Sequence, residues 1–250
     1  MAPLQLSSLL ADIVAKIIRI INMKIVISHH QTEYIRHFNF ADIVFVFDDP
    51  TPDDLAAASD HHVITMGQAG NRSANRNAGL AYWLSQNPED DAIIEFFDGD
   101  RFPIRYADPA AEMSALGADI LLYPCEKDIR KAYAKPGTPI YIKGPGNAFF
   151  SCGFAIYKKT IDMIMAFNDG AFFSEEFKGW GGEDQYMGTV AGHLGIRCAL
   201  SAKTTLNGSV GGDEGAHPDY IQAMTTYIKL AIRKGMKSTL LDNVGPLPVK

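Results

Sequence analysis

Short apolar runs that alternate with helical segments constrain the fold of this chain more than any other feature of its sequence. Four runs, at residues 24–28, 41–47, 61–66 and 92–97, have the length of a buried strand. Helical segments separate them, the last at about 73–85. This alternation is typical of parallel βαβ units. We therefore predict an α/β fold with a mostly parallel central sheet flanked by helices.

Acidic residues follow two of these predicted strands. Asp48 and Asp49 come directly after the second strand, and Asp98 and Asp100, separated by one glycine, close the fourth. Ligands of such sheets bind beyond the carboxyl ends of the strands, so we expect these acids to converge on one crevice. Paired carboxylates suit a hard divalent cation with coordination positions left for phosphate oxygens and water. A strand-terminating Asp-Gly turn is the simpler alternative.

Composition narrows the class of protein. The chain has 250 residues, of which 47% are hydrophobic and 21% charged, as expected for one large globular domain or two small ones. Its net charge of -6 gives no basic footprint for nucleic acid. Its cysteines, Cys125, Cys152 and Cys198, lack metal-ligand spacing and are typical of reduced thiols in a cytoplasmic protein. No apolar run reaches the roughly 18 residues that span a bilayer.

Residues 1–22 differ from the rest of the chain and predict an amphipathic helix that precedes the domain. The helix could pack on its own domain, form a homo-oligomer, or lie on a membrane surface through residues 4–21, which would make the protein peripheral to a membrane. Charged residues within it argue against a secretory signal. Met23 is a suitable start for a complete domain, so an appendage, natural or engineered, stays open as a further alternative. Its apolar side consists of Leu6, Leu9, Leu10, Ile13, Val14, Ile17, Ile20 and Ile21.

A loop rich in glycine, asparagine and arginine, residues 67–79, leads into the helix before the fourth strand. Helix N-termini favour anions, because their amides and dipole present positive charge. Arg72 and Arg76 are four residues apart and share one helix face. The loop has no Walker lysine. It therefore fits either a diphosphate partner or a polar loop with solvated arginines.

A second acid pair follows a glycine-rich stretch. Three glycines and Trp180 precede Glu183 and Asp184, which open a predicted helix. Acids at a helix start suit the dipole, but this leaves the glycines and Trp180 unexplained. A pocket with an aromatic wall and two carboxylates explains both. His217, in the glycine-rich segment 207–218, is the histidine that would complete a metal site, although a lone histidine is more often a surface residue.

In this order, these parts resemble nucleotide-sugar glycosyltransferases of the GT-A fold, near the large family 2 and the galactosyltransferase-type enzymes. The resemblance covers roughly residues 24–217. Its most specific part is the last motif, which is very close to the galactosyltransferase-type GWGGED. The first predicted strand departs from the family, because a Ser-His-His-Gln turn follows it, and Gln185 stands where an aspartate is common. The motifs are Phe45-Val46-Phe47-Asp48-Asp49, Arg76-Asn77-Ala78-Gly79-Leu80, Phe97-Asp98-Gly99-Asp100 and Gly179-Trp180-Gly181-Gly182-Glu183-Asp184.

The resemblance implies one GT-A domain over residues 23–250. Its donor half is about 24–103, its acceptor half about 104–217, and a C-terminal helix and tail occupy 218–250. The expected partners are a nucleoside diphosphate sugar, most commonly a UDP-sugar in such enzymes, and a glycan or other hydroxyl acceptor. The expected donor-binding residues are Asp48, Asp49, Arg72, Arg76, Asn77 and Asp98.

The resemblance also implies the chemistry. Mn²⁺ or Mg²⁺ would be held by Asp100, Asp98 and His217. Asp184 would be the general base for an inverting transfer, with Glu183 as its catalytic neighbour. The expected acceptor-binding residues are Trp180, Gly181, Gly182 and Glu183.

Three alternatives remain open at this level. A retaining glycosyltransferase has the same fold and metal motif. A nucleotidyltransferase also uses paired acids, but it normally has a glycine-rich basic loop after the first strand, which this chain lacks. A catalytically inactive nucleotide-sugar-binding module would have little need for both acid pairs.

Overall fold

The computed structural model describes residues 23–29, 31–67, 71–127, 136–137, 139–140, 152–178, 181–208 and 220–236. The segment 1–22, predicted as an amphipathic helix, lies outside these residues. The strands in the described ranges are β1 (Lys24–Ser28), β2 (Ile43–Phe47), β3 (His62–Thr65), β4 (Ile93–Asp98), β5 (Pro103–Arg105), β6 (Ile120–Leu122), β7 (Pro139–Ile140), β8 (Gly153–Tyr157), β9 (Cys198–Leu200) and β10 (Thr205–Leu206). The helices are α1 (Thr32–Ile35), α2 (Pro52–Ala57), α3 (Arg72–Leu84), α4 (Pro109–Leu116), α5 (Lys158–Phe167), α6 (Glu183–His193) and α7 (Tyr220–Arg233).

The central sheet has eight strands in the order β3-β2-β1-β4-β8-β6-β9-β7. The first four are mutually parallel, and β6 and β9 also pair in parallel. Only β8 and β7 run antiparallel to their neighbours within the described sheet. The prediction of a mostly parallel sheet flanked by helices is therefore confirmed.

The sheet reverses its winding between β1 and β4. From β1 the chain moves outward to β2 and β3, then crosses back so that β4 pairs with the other side of β1. In that pair Ile27 lies opposite Asp98. Such a switch point opens a crevice at the carboxyl ends of the strands. The acids that end β2 and β4 lie at this edge.

Strand β4 separates two apolar layers. Ile94 and Phe96 belong to one layer, which includes Trp83 of α3, and Ile93 and Phe97 belong to the other. Both faces of the sheet are thus covered, which is why the strands read as continuous apolar runs.

Helix α3 lies very close to the sheet. Asn71 caps it by accepting a hydrogen bond from the amide of Ala74 (2.9 Å). A Cβ atom added at Gly79 would be only 2.6 Å from a side-chain carbon of Ile25. This glycine lets the helix approach β1, and it seats the face that carries Arg76 against the sheet.

Some boundaries differ from the prediction. The helix expected from residue 106 begins at Pro109, because proline suits the first helical turn and Asp108 caps it through the amide of Ala110 (2.9 Å). The antiparallel pair of β5 and β10 was not predicted, since strands this short have no periodicity to detect. No helix within the described ranges has both the length and the apolar character needed to cross a membrane.

Candidate active site

The turn after β4 is held by its own backbone. The amide of Gly99 donates to the carbonyl of Ile27 (2.6 Å), and the amide of Asp98 donates to the carbonyl of Cys152 (2.9 Å). A Cβ atom at Gly99 would lie 2.9 Å from the Ile27 carbonyl oxygen, closer than real side chains come. Only glycine fits here, so the two flanking aspartates are fixed next to the end of β1.

A buried guanidinium joins the two acid pairs. Arg76 Nη2 donates to Asp98 Oδ1 (2.8 Å), and Nη1 donates to Glu183 Oε1 (3.2 Å). The arginine side chain is 0% exposed and lies 5.0 Å from the centre of the Phe173 ring. Burial lowers the pKa of Arg76, but the carboxylates of Asp98, Glu183 and Asp184 more than reverse this and leave it raised. Acids that are distant in sequence therefore meet at one charged group.

Asp100 has a different environment from Asp98. Its side chain is one-third exposed and accepts a hydrogen bond from Arg101 Nη1 (2.8 Å). Its backbone carbonyl accepts from Asn207 Nδ2 (3.1 Å). Burial raises the pKa of Asp100 and the negative charge of Asp98 adds to this, while Arg101 and Arg72 oppose it. A carboxylate whose pKa is raised by the negative charge of its neighbour lies in a place that suits a cation.

The donor set fits Mn²⁺ or Mg²⁺, which bind oxygen ligands and often take only one or two carboxylates beside water and phosphate. Asp98 and Asp100 would hold the ion. No group of three or more histidine, cysteine, aspartate or glutamate side chains is placed for a metal among the described residues. His217, the predicted third ligand, lies outside the part of the chain that the structure describes.

The acids after β2 lie on the other side of β1. Asp48 is buried, and its Oδ1 is 2.6 Å from His29 Nδ1. Asp49 is exposed. Sequence reasoning missed His29, although it belongs to the turn that departs from the family pattern.

The predicted donor residues of α3 have separate roles in the structure. Arg72 begins the helix, is partly exposed, and acts on Asp100 electrostatically. Asn77 instead holds a neighbouring segment: its Nδ2 donates to the Phe173 carbonyl (2.8 Å) and to Glu175 Oε1 (2.9 Å). Its Oδ1 accepts from the Phe173 amide (3.0 Å). Asn77 thereby positions the ring that lies against Arg76.

Two glycines set the start of α6. Gly181 and Gly182 have φ of +87° and +85°, which side chains rarely adopt. A Cβ atom at Gly182 would also lie 2.9 Å from the Phe177 ring. The turn places Glu183 and Asp184 in the first helical turn, with Glu183 buried and Asp184 half-buried. Trp180, the predicted aromatic wall, lies outside the described residues.

The structure therefore brings three predicted residues into direct contact, namely Arg76, Asp98 and Glu183. It also reveals two neighbours that sequence reasoning did not assign. Arg101 directly follows Asp100, and this adjacency was a usable signal. Phe173 gave none, because its contact with Arg76 depends on tertiary packing.

The sequence matches no family model, and no curated protein matches it either. The fold is similar to the crystal structure of GalNAc-T7 with UDP, GalNAc and Mn²⁺, with a TM-score of 0.55 and 12% sequence identity. The similarity covers 87% of this chain and 55% of that one, so this chain spans about half the length of GalNAc-T7. At this identity the likeness shows the fold, and the predicted GT-A type of fold is confirmed.

Proposed function

We propose that the protein is a metal-dependent glycosyltransferase that moves a sugar from a UDP-sugar to a hydroxyl acceptor. The observation that carries this proposal is the contact of Asp98 and Glu183 with one buried arginine at the carboxyl edge of β4. A simple turn and a simple helix start would not require a guanidinium to be buried between them. The shared arginine brings the acid assigned to the donor and the acid assigned to the acceptor together, as a single two-part site requires.

On the donor side, we assign the nucleoside to Asp48 and Asp49 and the diphosphate to Arg72. Arg72 is partly exposed, whereas the side chain of Arg76 is fully buried. Asp98 and Asp100 would hold Mn²⁺ or Mg²⁺. A bound cation of this kind neutralises the negative charge that develops on the leaving diphosphate. GalNAc-T7, which has a similar fold, was crystallised with UDP and Mn²⁺, and this supports the choice of donor and ion.

On the acceptor side, we assign the general base to Asp184, which takes the proton of the attacking hydroxyl. Its half-buried carboxylate lies near the Arg76 guanidinium, on which it acts electrostatically. Glu183 would hydrogen-bond the acceptor, Gly181 and Gly182 would form the pocket floor, and Trp180 would stack on the sugar. In-line attack by the hydroxyl inverts the anomeric carbon.

A donor screen with Mn²⁺ tests the proposal by measuring released nucleoside diphosphate with and without acceptor sugars. We expect release from at least one UDP-sugar. Asp184→Asn should lower turnover by about 10²- to 10⁴-fold with donor binding retained. Asp162→Asn, the same change on the surface of α5, is the matched control. Near-normal turnover of Asp184→Asn would contradict the assignment of Asp184 as the general base. A wild-type protein that releases no nucleoside diphosphate from any donor would contradict the proposed activity. The anomeric configuration of the product, measured by NMR, tests inversion.

The metal assignment has its own test. Asp100→Ala should abolish the part of UDP binding that depends on Mn²⁺, because it removes one of the two carboxylates. The measurement is UDP affinity with Mn²⁺ and with EDTA. The same affinity in both solutions, for wild type and variant, would contradict the assignment.

A further inference from the structure

Arg76 has no free surface with which to bind a substrate. It projects from α3, which Gly79 seats against β1, and its side chain is 0% exposed. Both terminal nitrogens donate to carboxylates, and the Phe173 ring lies against the guanidinium. A diphosphate could reach this group only if the arginine left its buried position. Its function therefore depends on the two acids to which it donates hydrogen bonds, and not on direct contact with a substrate.

The two acids depend on each other through this arginine. Asp98 ends a strand in the donor half, and Glu183 begins a helix in the acceptor half. Without the guanidinium they would be two like charges in a poorly solvated place, where their mutual repulsion is strong. With it, each carboxylate occupies one nitrogen of a planar fork. A change at one acid thus alters how the fork holds the other.

We infer that Arg76 is a positioning residue that couples the donor half to the acceptor half, so that Glu183 sets the position of the Asp98 carboxylate. The inference rests on the proposed function for the names of the two halves. Coupling between two bound ligands is reciprocal: if a bound acceptor changes donor affinity, a bound donor changes acceptor affinity by the same factor.

The direct test measures UDP affinity in Mn²⁺ by titration calorimetry, without acceptor. The four proteins are the wild type, Glu183→Gln, Arg76→Met and the double variant. Glu183→Gln should weaken UDP binding about fivefold or more, although it changes the acceptor half. In the Arg76→Met background the same change should have no further effect. Wild-type affinity in Glu183→Gln, or effects that multiply in the double variant, would overturn the inference.

Two further variants separate positioning from simple structural support. Arg76→Lys keeps the positive charge but lacks the fork that serves two carboxylates at once. The Arg76→Lys protein should fold, and in this background Glu183→Gln should no longer weaken UDP binding. Arg76→Lys replaces Arg76→Met in the test if the Arg76→Met protein does not fold. Arg72→Met, one helical turn earlier, should weaken UDP binding but leave the effect of Glu183→Gln intact. If Arg72→Met removes that effect as completely, Arg76 is not the coupling residue.

A readout without substrate keeps the inference separate from the proposed activity. If the wild type binds no UDP with Mn²⁺, the proposed function fails, and the coupling is measured by urea unfolding instead. Asp98→Asn and Glu183→Gln should then be non-additive when Arg76 is present and additive in Arg76→Met or Arg76→Lys. Additive effects in the presence of Arg76 would overturn the coupling itself.

Discussion

Strand β4 carries a buried charge cluster on each face, and the two clusters are built differently. The core cluster is Lys24, Glu95, Tyr106 and Tyr123. Lys24 Nζ is 3.3 Å from Glu95 Oε1, the Tyr106 hydroxyl donates to the same oxygen (2.8 Å), and the Tyr123 hydroxyl donates to Oε2. The site cluster is Arg76, Asp98 and Glu183, with two carboxylates on one guanidinium.

The difference between the clusters is one of charge balance. The core cluster pairs one cation with one anion. Burial raises the pKa of Glu95, and Lys24 and the two tyrosines oppose this. The site cluster has more negative than positive charge, and it lies at a strand end between glycine turns. A balanced cluster needs no further ion to neutralise it, whereas an acidic excess at a crevice attracts a cation.

The largest expected effect is in the core cluster. Lys24→Met leaves Glu95 buried without its cation, and we expect a loss of about 3–5 kcal/mol of unfolding free energy at pH 8. The loss should be smaller at pH 5. The folded pKa of Glu95 is already raised above its unfolded value, and it rises further without Lys24. Stability is then present at low pH and lost as pH rises through that folded pKa. Urea unfolding at the two pH values measures it.

The double variant Lys24→Met with Glu95→Gln is the control for this prediction. It removes both charges, so it should recover most of the stability that Lys24→Met loses. A double variant as unstable as the single one would show that the lysine acts through packing on Phe40 and Tyr106, over whose rings it lies.

The next effect concerns Asp100, which lies two residues from Asp98 of the site cluster, and it requires ligand. Mn²⁺ with UDP at a hundredfold excess over the dissociation constant should stabilise the wild type by about 2.7 kcal/mol. Thermal unfolding with and without ligand measures this. The stabilisation should vanish in Asp100→Ala and persist in Tyr106→Phe, which alters only the core cluster. Equal loss in both variants would erase the distinction between the clusters.

A smaller expected effect on stability tests whether close packing of the Gly99 backbone against β1 holds the turn after β4. Gly99→Ala should cost about 2 kcal/mol, because the added methyl meets the Ile27 carbonyl of β1. Gly67→Ala is the matched control, since nothing lies within 4 Å of a Cβ added there, and it should be nearly neutral. Equal unfolding midpoints for the two variants in urea would contradict the close fit.

The smallest expected effect on stability is at an exposed ion pair, and it indicates how much burial contributes to the larger effects. Lys158 Nζ is 2.7 Å from Asp162, whose side chain is 48% exposed. Asp162→Asn should cost about 0.5 kcal/mol or less, and less again in high salt. A cost comparable to that of Lys24→Met would mean that charge pairing matters here regardless of burial.

The sequence predicted β1, β2 and β4 well, because burial on both faces made each of them a continuous apolar run. The antiparallel direction of β8 was not predictable locally, since its apolar run resembles that of a parallel strand. The acids were found because glycines and a tryptophan surrounded them in unusual patterns. The sequence did not predict the burial of Arg76, because an arginine near a helix start normally faces water. Tertiary packing buries it, since α3 lies against the sheet and Phe173 and Glu183 cover the guanidinium.

The antiparallel course of β8 also has a mechanical consequence. The amide of Tyr123, after β6, donates to the carbonyl of Gly153 at the start of β8 (2.9 Å), and Gly153 lies opposite Phe97. The amide of Asp98 also donates to the carbonyl of Cys152, directly before β8. The backbone at Asp98 is therefore anchored to β8 on one side and, through Gly99, to β1 on the other, so this end of β4 inherits the rigidity of the central sheet.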